Sequence, residues 1–320
     1  MGDGTAIEWT DATWNPIIGC SRTSPGCDNC YAIGVVHRQM SPQHVGLTVK
    51  PDGGRADWTG EVRPAPQVLD KPLRWKRSRR IFVNSLSDLF HADLPDEEVA
   101  KVFAVMALAP QHQFQVLTKR SKRMRDLLGT EEFWARVFEL AIFRGADVVP
   151  IRGADRHHYH LPNVWLGVSV ETDGYAFRAD HLRDTPAAIR WISAEPLLGP
   201  LPSLDLTGID WVVAGGESGP KARPMHPTWV RDLRDRCAET GAAFLFKQWG
   251  AWAPDGAGAT AAGRPWKSPD GKAEVLIGAP DMFQMRQIMR RVGKKAAGRE
   301  LDGRTWDQYP DPENEVSRPT

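Results

Sequence analysis

The chain has 320 residues, 41 Lys and Arg against 40 Asp and Glu for a net charge of +1, and 41% hydrophobic residues. This is the composition of a globular protein with a real core, not of a polycation, and no apolar run approaches the ~18 residues needed to span a bilayer. Four cysteines do not make a disulfide framework, and Met1 to Glu8 lack the basic and apolar segments of a secretory signal, so a cytoplasmic location and no membrane partner are expected.

The first element is a loop. In Asn15-Pro-Ile-Ile-Gly-Cys20-Ser-Arg-Thr-Ser-Pro-Gly-Cys27-Asp-Asn-Cys30-Tyr31, three of the four cysteines fall within eleven residues, bracketed by Pro16, Gly19, Pro25 and Gly26. A loop folded by Gly and Pro can converge three thiolates on one point. Three sulfurs leave a four-coordinate metal or a cubane one position short, and an open position is where chemistry happens. The plainer reading is a structural zinc completed by a distant His or by Cys237. Zinc ribbons bring a second Cys or His pair, which is missing here. His157, His158 and His160 form the densest histidine group, in a polar stretch that reads as a solvated loop. A lone triad favours an iron–sulfur cluster on Cys20, Cys27 and Cys30, with one iron left open.

Residues 40–66, rich in Gly, Pro and charge, read as an excursion after this loop. Lys71-Pro-Leu-Arg74-Trp75-Lys76-Arg77-Ser-Arg79-Arg80 then packs six basic residues into ten around one tryptophan. Basic groups interleaved with an aromatic suit a phosphate backbone with an unstacked base, and Arg74, Lys76, Arg77, Arg79 and Arg80 are the candidate nucleic-acid ligands. A solvated face is the competing reading. Lys119 to Arg125 and Arg286 to Arg299 are further basic segments.

Six short strands are predicted, at Arg80–Ser85, Gln113–Thr118, Asn163–Ser169, Ala188–Ser193, Ile209–Gly215 and Ala243–Lys247. Helical periodicity lies between them, over Pro95–Ala109 and over Pro227–Thr240, where Trp229, Val230, Leu233 and Cys237 share a stripe. Cys237 therefore reads as a buried helix residue. Residues 131–161 read as an insertion with a helix at Glu132–Phe143. Past Gly250 the texture turns to Ala, Gly and Pro, with a helix near Met282 to Arg291. The expected organisation is one catalytic domain over 1–250 and a packed extension over 251–320.

Strands alternating with helices argue for parallel strands. Polar residues follow nearly every one: Ser85, Ser87 and Asp88; Thr118, Lys119 and Arg120; Ser169 and Glu171; Ser193 and Glu195; Glu217; Lys247. A barrel carries its reactive groups at all carboxyl ends, whereas an open sheet concentrates them at one switch point. The expected fold is α/β, a partial TIM-like β/α barrel of about six parallel strands. The Gly215-Gly216 pair reads either as a phosphate-facing turn or as a tight strand-to-loop turn.

Several stretches resemble the phage Gp37/Gp68 family of phage and bacterial proteins. They are Ile7-Glu-Trp-Thr-Asp-Ala-Thr-Trp-Asn-Pro16, the cysteine loop, Val83-Asn-Ser-Leu-Ser-Asp-Leu-Phe-His91, Leu117-Thr-Lys-Arg120, Trp165-Leu-Gly-Val-Ser169, Ser193-Ala-Glu-Pro-Leu-Leu198, Gly215-Gly-Glu-Ser-Gly-Pro220, Phe246-Lys-Gln-Trp249 and Asp302-Gly-Arg-Thr-Trp306. More distantly the layout is similar to radical S-adenosylmethionine enzymes such as spore photoproduct lyase. Their three-cysteine loop near the start of a partial barrel holds a [4Fe-4S] cluster that cleaves S-adenosylmethionine. The loop here has six residues between its first two cysteines, where the usual form has three.

The resemblance implies an iron–sulfur enzyme acting on nucleic acid or a nucleotide, in lesion repair or base modification, with a reductant protein as partner. In it Ser85, Ser87, Asp88 and Ser169 would hydrogen-bond the cosubstrate, and Lys119 and Arg120 would meet its carboxylate or a phosphate. Glu195 and Glu217 would serve as acid/base groups or hydroxyl ligands, with Lys247 paired to either. The alternative is a non-catalytic nucleic-acid-binding protein whose cysteines hold structural zinc.

Overall fold

A computed structural model describes residues 5, 7–39, 41–145, 151–152, 159–254, 274–277 and 287–310. All six predicted strands are present, and one more precedes them. In chain order they are β1 (Ala12–Trp14), β2 (Arg80–Val83), β3 (Gln113–Thr118), β4 (Val164–Ser169), β5 (Ile189–Ala194), β6 (Trp211–Gly215) and β7 (Ala243–Gln248). Their order in the sheet is their order in the chain. The registered pairs are parallel, with Thr13 opposite Phe82, Phe82 opposite Gln115 and Gln115 opposite Trp165. A singly wound parallel sheet has no switch point. It is the order of a partial β/α barrel, not of a doubly wound sheet. β4 and β6 are buried at every position, which is why they read as continuous apolar runs without alternation.

The chain forms two compact units, one from Met1–Val168 and Asp180–Arg190, the other from Ser169–Ala179 and Trp191–Asp311. In the first, helix α1 (Tyr31–His37) follows the cysteine loop, and α2 (Asp96–Ala107) follows β2. Asp96, Glu97 and Glu98 fill the first turn of α2, where the amide ends favour negative charge. α3 (Ser121–Leu128) and α4 (Glu131–Phe143) come next, and the Thr130 side chain caps α4 by accepting from the Phe133 N–H. Phe133 and Trp134 meet Phe103 of α2 edge-on at 5.5 and 5.7 Å, so the predicted insertion helix closes this unit's outer core.

α5 (Phe177–Arg183) begins in the second unit's segment and ends in the first unit's, and in the second unit α6 (Pro227–Thr240) packs near β6 and β7. The tail covers the open edge of β7. The Phe246 N–H donates to the Trp306 carbonyl at 2.9 Å, and the Phe244 N–H to the Gln308 side chain at 2.9 Å. Such cover removes the unpaired backbone row that makes edge strands aggregate. The tail turns at Asp302, whose φ is 54° and whose carboxylate receives Arg231 at 2.7 Å and also Arg234.

One predicted helix is corrected. Gln287–Arg291 is a strand (β10) pairing antiparallel with β8 (Trp252–Pro254) and β9 (Glu274–Ile277). Buried Met289 and Arg291 alternate with exposed Ile288 and Arg290, a period of two that overrides the helix-forming composition. The earlier part of that prediction, 282–286, lies outside the described residues. Among the described residues no helix is long and apolar enough to cross a membrane.

Candidate metal centre and strand-end groups

The cysteine loop lies beyond the carboxyl ends of β1 and β2. Gly19 bridges to Ser87, and its φ of +88° with a backbone carbonyl of Glu61 2.2 Å from where a Cβ would sit admits only glycine. Asn84, also left-handed at φ 60°, ends β2 and accepts from the Ile17 N–H at 3.4 Å. Asn15 accepts from the Leu86 N–H at 2.9 Å and the Ser85 hydroxyl at 3.1 Å, and the Ser87 hydroxyl donates to the Ile17 carbonyl at 2.9 Å. The two serines expected on a cosubstrate thus stitch the loop to the strand ends.

Arg120 joins that loop to β3. Its guanidinium donates to the Asp88 carboxylate at 2.9 Å, to the Ser21 carbonyl and hydroxyl at 3.1 and 2.8 Å, and to Cys20 Sγ at 3.8 Å. Asp88 is buried and also accepts from the Thr118 hydroxyl at 2.6 Å and from the N–H groups of Phe90 and Lys119 at 3.0 and 3.1 Å. Burial alone would raise its pKa, but the Arg120 charge and these hydrogen bonds outweigh it and hold the carboxyl below its ordinary value. His91, also buried, shares a 2.8 Å hydrogen bond with the Ser21 hydroxyl, and burial pulls its pKa down.

The three cysteines are free thiols. Burial pushes Cys20 up to about 12, with Asp88 adding to the rise and Arg120 opposing it. Burial also raises Cys30, against the N–H groups of Ala32 and Ile33, while the Cys27 sulfur adds and Lys119 opposes. Each sulfur lies in the field of another, with Arg120 and Lys119 as the facing cations. Among the described residues no group of three His, Cys, Asp or Glu side chains surrounds a single ion position. A cubane does not require one, because each of its cysteines meets a different iron. The donor set, three thiols in one short loop with cations to offset their ionised charge, is chemically suited to a cluster.

The remaining strand-end candidates separate into three pairs in the second unit. Glu195 receives Lys247 at 2.9 Å and the Ser193 hydroxyl at 3.2 Å, and Gly215 keeps this pair uncrowded, since a Cβ there would sit 3.2 Å from the Glu195 carboxylate. Glu217 pairs with Arg223. Both its oxygens receive Arg223, at 2.7 and 2.9 Å, and one also takes the Arg223 N–H. Ser169 is buried, and its carbonyl accepts from Arg178, which pairs with the fully buried Glu171 at 3.1 Å. Gly216 faces backbone: a Cβ would lie 2.0 Å from the Trp249 carbonyl, so the Gly-Gly pair is a tight strand-to-loop turn. Cys237 is buried on α6 with Val230 and Leu233, as its stripe predicts.

Asn15, Ser21, His91, Arg178 and Arg223 were not singled out by sequence pattern. Arg223, six residues past Glu217, and His91, three past Asp88, offered only proximity along the chain.

The basic runs diverge. Arg74, Lys76 and Arg77 are exposed and have no acidic partner among the described residues. Trp75 is buried, edge-on to His112 at 5.9 Å, with Lys71 and Arg79 over its ring at 5.2 and 4.9 Å, so it is a packed residue and not a base platform. Arg80 pairs with Asp11 at 3.2 Å. In the second run Lys122 pairs with Asp126, Arg123 with Asp96 and Arg125 with Asp126. In the third, Arg291 donates to the Gly219 and Pro220 carbonyls, and Arg299 meets Asp307.

Over residues 4–310 the chain matches the family described as protein of unknown function (DUF5131), and it belongs to that family. No curated protein and no solved structure matches it significantly.

Proposed function

We propose that this chain is an iron–sulfur enzyme of the radical S-adenosylmethionine kind, of the phage Gp37/Gp68 type, acting on nucleic acid or a nucleotide in a reducing cytoplasm. The observation that carries the reading is Arg120: one guanidinium ties Cys20 and Ser21 to Asp88, which anchors a three-cysteine loop at the carboxyl ends of parallel strands. Cys20, Cys27 and Cys30 hold a [4Fe-4S] cluster. Bound there and reduced by a partner protein, it would supply the electron for cleavage of S-adenosylmethionine. Arg120 and Lys119 offset the charge of the ionised sulfurs, and Asp88 fixes Arg120. Glu195 and Lys247 are the acid/base pair, with a proton available at Lys247 Nζ and an acceptor at the Glu195 carboxylate. Glu217, its lone pairs taken by Arg223, holds the β6 turn.

The test is anaerobic purification with iron and sulfide analysis and visible spectra, for the wild type and for Cys20→Ser, Cys27→Ser, Cys30→Ser and Cys237→Ser. About four irons per chain are expected, lost in the first three variants and kept in the last. Adding S-adenosylmethionine should change the electron-paramagnetic-resonance signal of the reduced protein. A colourless protein containing zinc would overturn the reading. It would promote a non-catalytic nucleic-acid-binding protein, a reading favoured by Arg74, Lys76 and Arg77, which have no acidic partner among the described residues.

A further inference from the structure

Three basic runs that look alike in sequence differ in one physical respect. Those of α3 and of the tail spend their cations on Asp126, Asp96, Asp307 and backbone carbonyls. Only Arg74, Lys76 and Arg77 leave three exposed cations within four residues without an acidic partner among the described residues. We infer that these three side chains form an anchor for the phosphate backbone of duplex nucleic acid, separate from the cysteine site and indifferent to base sequence. The inference rests on the proposed nucleic-acid substrate and narrows it from nucleotide to polymer.

Placement supports this. The run enters the sheet at Arg80, the amino end of β2, whereas the cysteine loop, Asp88 and Arg120 gather past its carboxyl end at Val83. Four residues of strand separate the two ends by about 10 Å, so the run and the cysteine loop lie at opposite ends of this strand. A polymer with a phosphate every ~3.4 Å along each strand spans that gap in a few nucleotides.

The state of Trp75 decides which polymer. Binding of single strands draws on bases stacked on exposed aromatic rings, and this ring is buried beneath Lys71 and Arg79. What remains is Coulombic contact with phosphates. That contact is strongest where charge density is highest, on a duplex. Contacts from these side chains to phosphate oxygens position a duplex without reading its bases, so no sequence preference arises from them.

The experiment measures anisotropy of a labelled 20-base-pair duplex against salt from 50 to 200 mM, with iron content determined separately on the same preparations. Each phosphate-bound cation contributes about 0.9 to the slope of log K against log salt. Arg74→Gln/Lys76→Gln/Arg77→Gln should therefore flatten the slope by about 2.7, while Lys122→Gln/Arg125→Gln leaves it unchanged and a scrambled duplex binds equally. Iron content should not follow either set, so loss of the anchor and loss of the cluster are read independently. An unchanged slope in the triple variant with its thermal midpoint intact would overturn the inference. So would tighter binding of a single strand with tryptophan quenching, or competition by polyglutamate as effective as by duplex, which would assign the surface to an acidic protein.

Discussion

Arg120→Met tests the connection on which the site is built. Asp88 and Arg120 have side chains 7% and 12% exposed and lie 2.9 Å apart. Removing one partner of a buried pair costs about 3–5 kcal/mol because the other charge stays buried. Asp88 keeps its bonds from Thr118, Phe90 and Lys119, which places Arg120→Met at the lower end, about 3 kcal/mol. Asp88→Asn leaves Arg120 with Ser21 and some solvent, and should cost about 2 kcal/mol. Once the first charge is gone the second has nothing to lose, so the double variant should cost about 3 kcal/mol, a coupling of about 2. Urea unfolding of all four proteins at pH 7 gives the cycle, with iron retention measured in parallel. Losses that add within about 0.5 kcal/mol would show two independent groups and refute the reasoning.

Gly216→Ala places a Cβ 2.0 Å from the Trp249 carbonyl; backbone must move, and a loss of about 3 kcal/mol or failure to fold is expected in thermal denaturation. Glu217→Gln weakens the Arg223 clamp and should lower the thermal midpoint, whereas Glu195→Gln should lower turnover with the midpoint nearly kept; equal effects on both readouts would contradict the division of roles. Asp302 is held below its ordinary carboxyl value of 3.8, first by its hydrogen bond from Arg231 and against the opposing effect of burial. Its stabilisation is therefore fully present above that value and is lost as pH falls through the lower folded value. Hydrogen exchange at the Phe244 and Phe246 amides should stay slow from pH 7 to about 4, after correction for intrinsic rates, and quicken below. Asp302→Asn, which also tolerates the left-handed turn, should lack that step.

The strands were legible because each is a short, mostly buried run rich in β-branched and aromatic residues: β3 has the predicted bounds, and β4 to β7 lie within one or two residues of theirs. β1 was not, since its three residues Ala12–Trp14 are too short for any period. The tail on β7 escaped for a related reason: its pairing rests on single bonds through Trp306 and Gln308, not on a pattern. In β10 the alternation was present but was masked by residues that equally suit a helix. The cysteine loop declared itself by spacing. Its support did not, because Ser21, His91 and Asn15 act through contacts up to 71 residues apart in sequence.

Sequence type alone treats Glu195 and Glu217 as equals, and Arg74 and Arg123 as equals. Each pair is divided by what stands beside it. Glu217 meets an arginine that takes both its oxygens, while Glu195 meets a lysine and a serine across a gap that Gly215 keeps open. Both carboxylates are answered, the first by one guanidinium and the second by an ammonium and a hydroxyl. Arg123 reaches Asp96, fixed in the first turn of α2, and no acidic side chain among the described residues pairs with Arg74. A charge serves a ligand only to the extent that the fold has not already answered it. By that criterion Arg74, Lys76 and Arg77 stand, among the described residues, as exposed cations without an acidic partner.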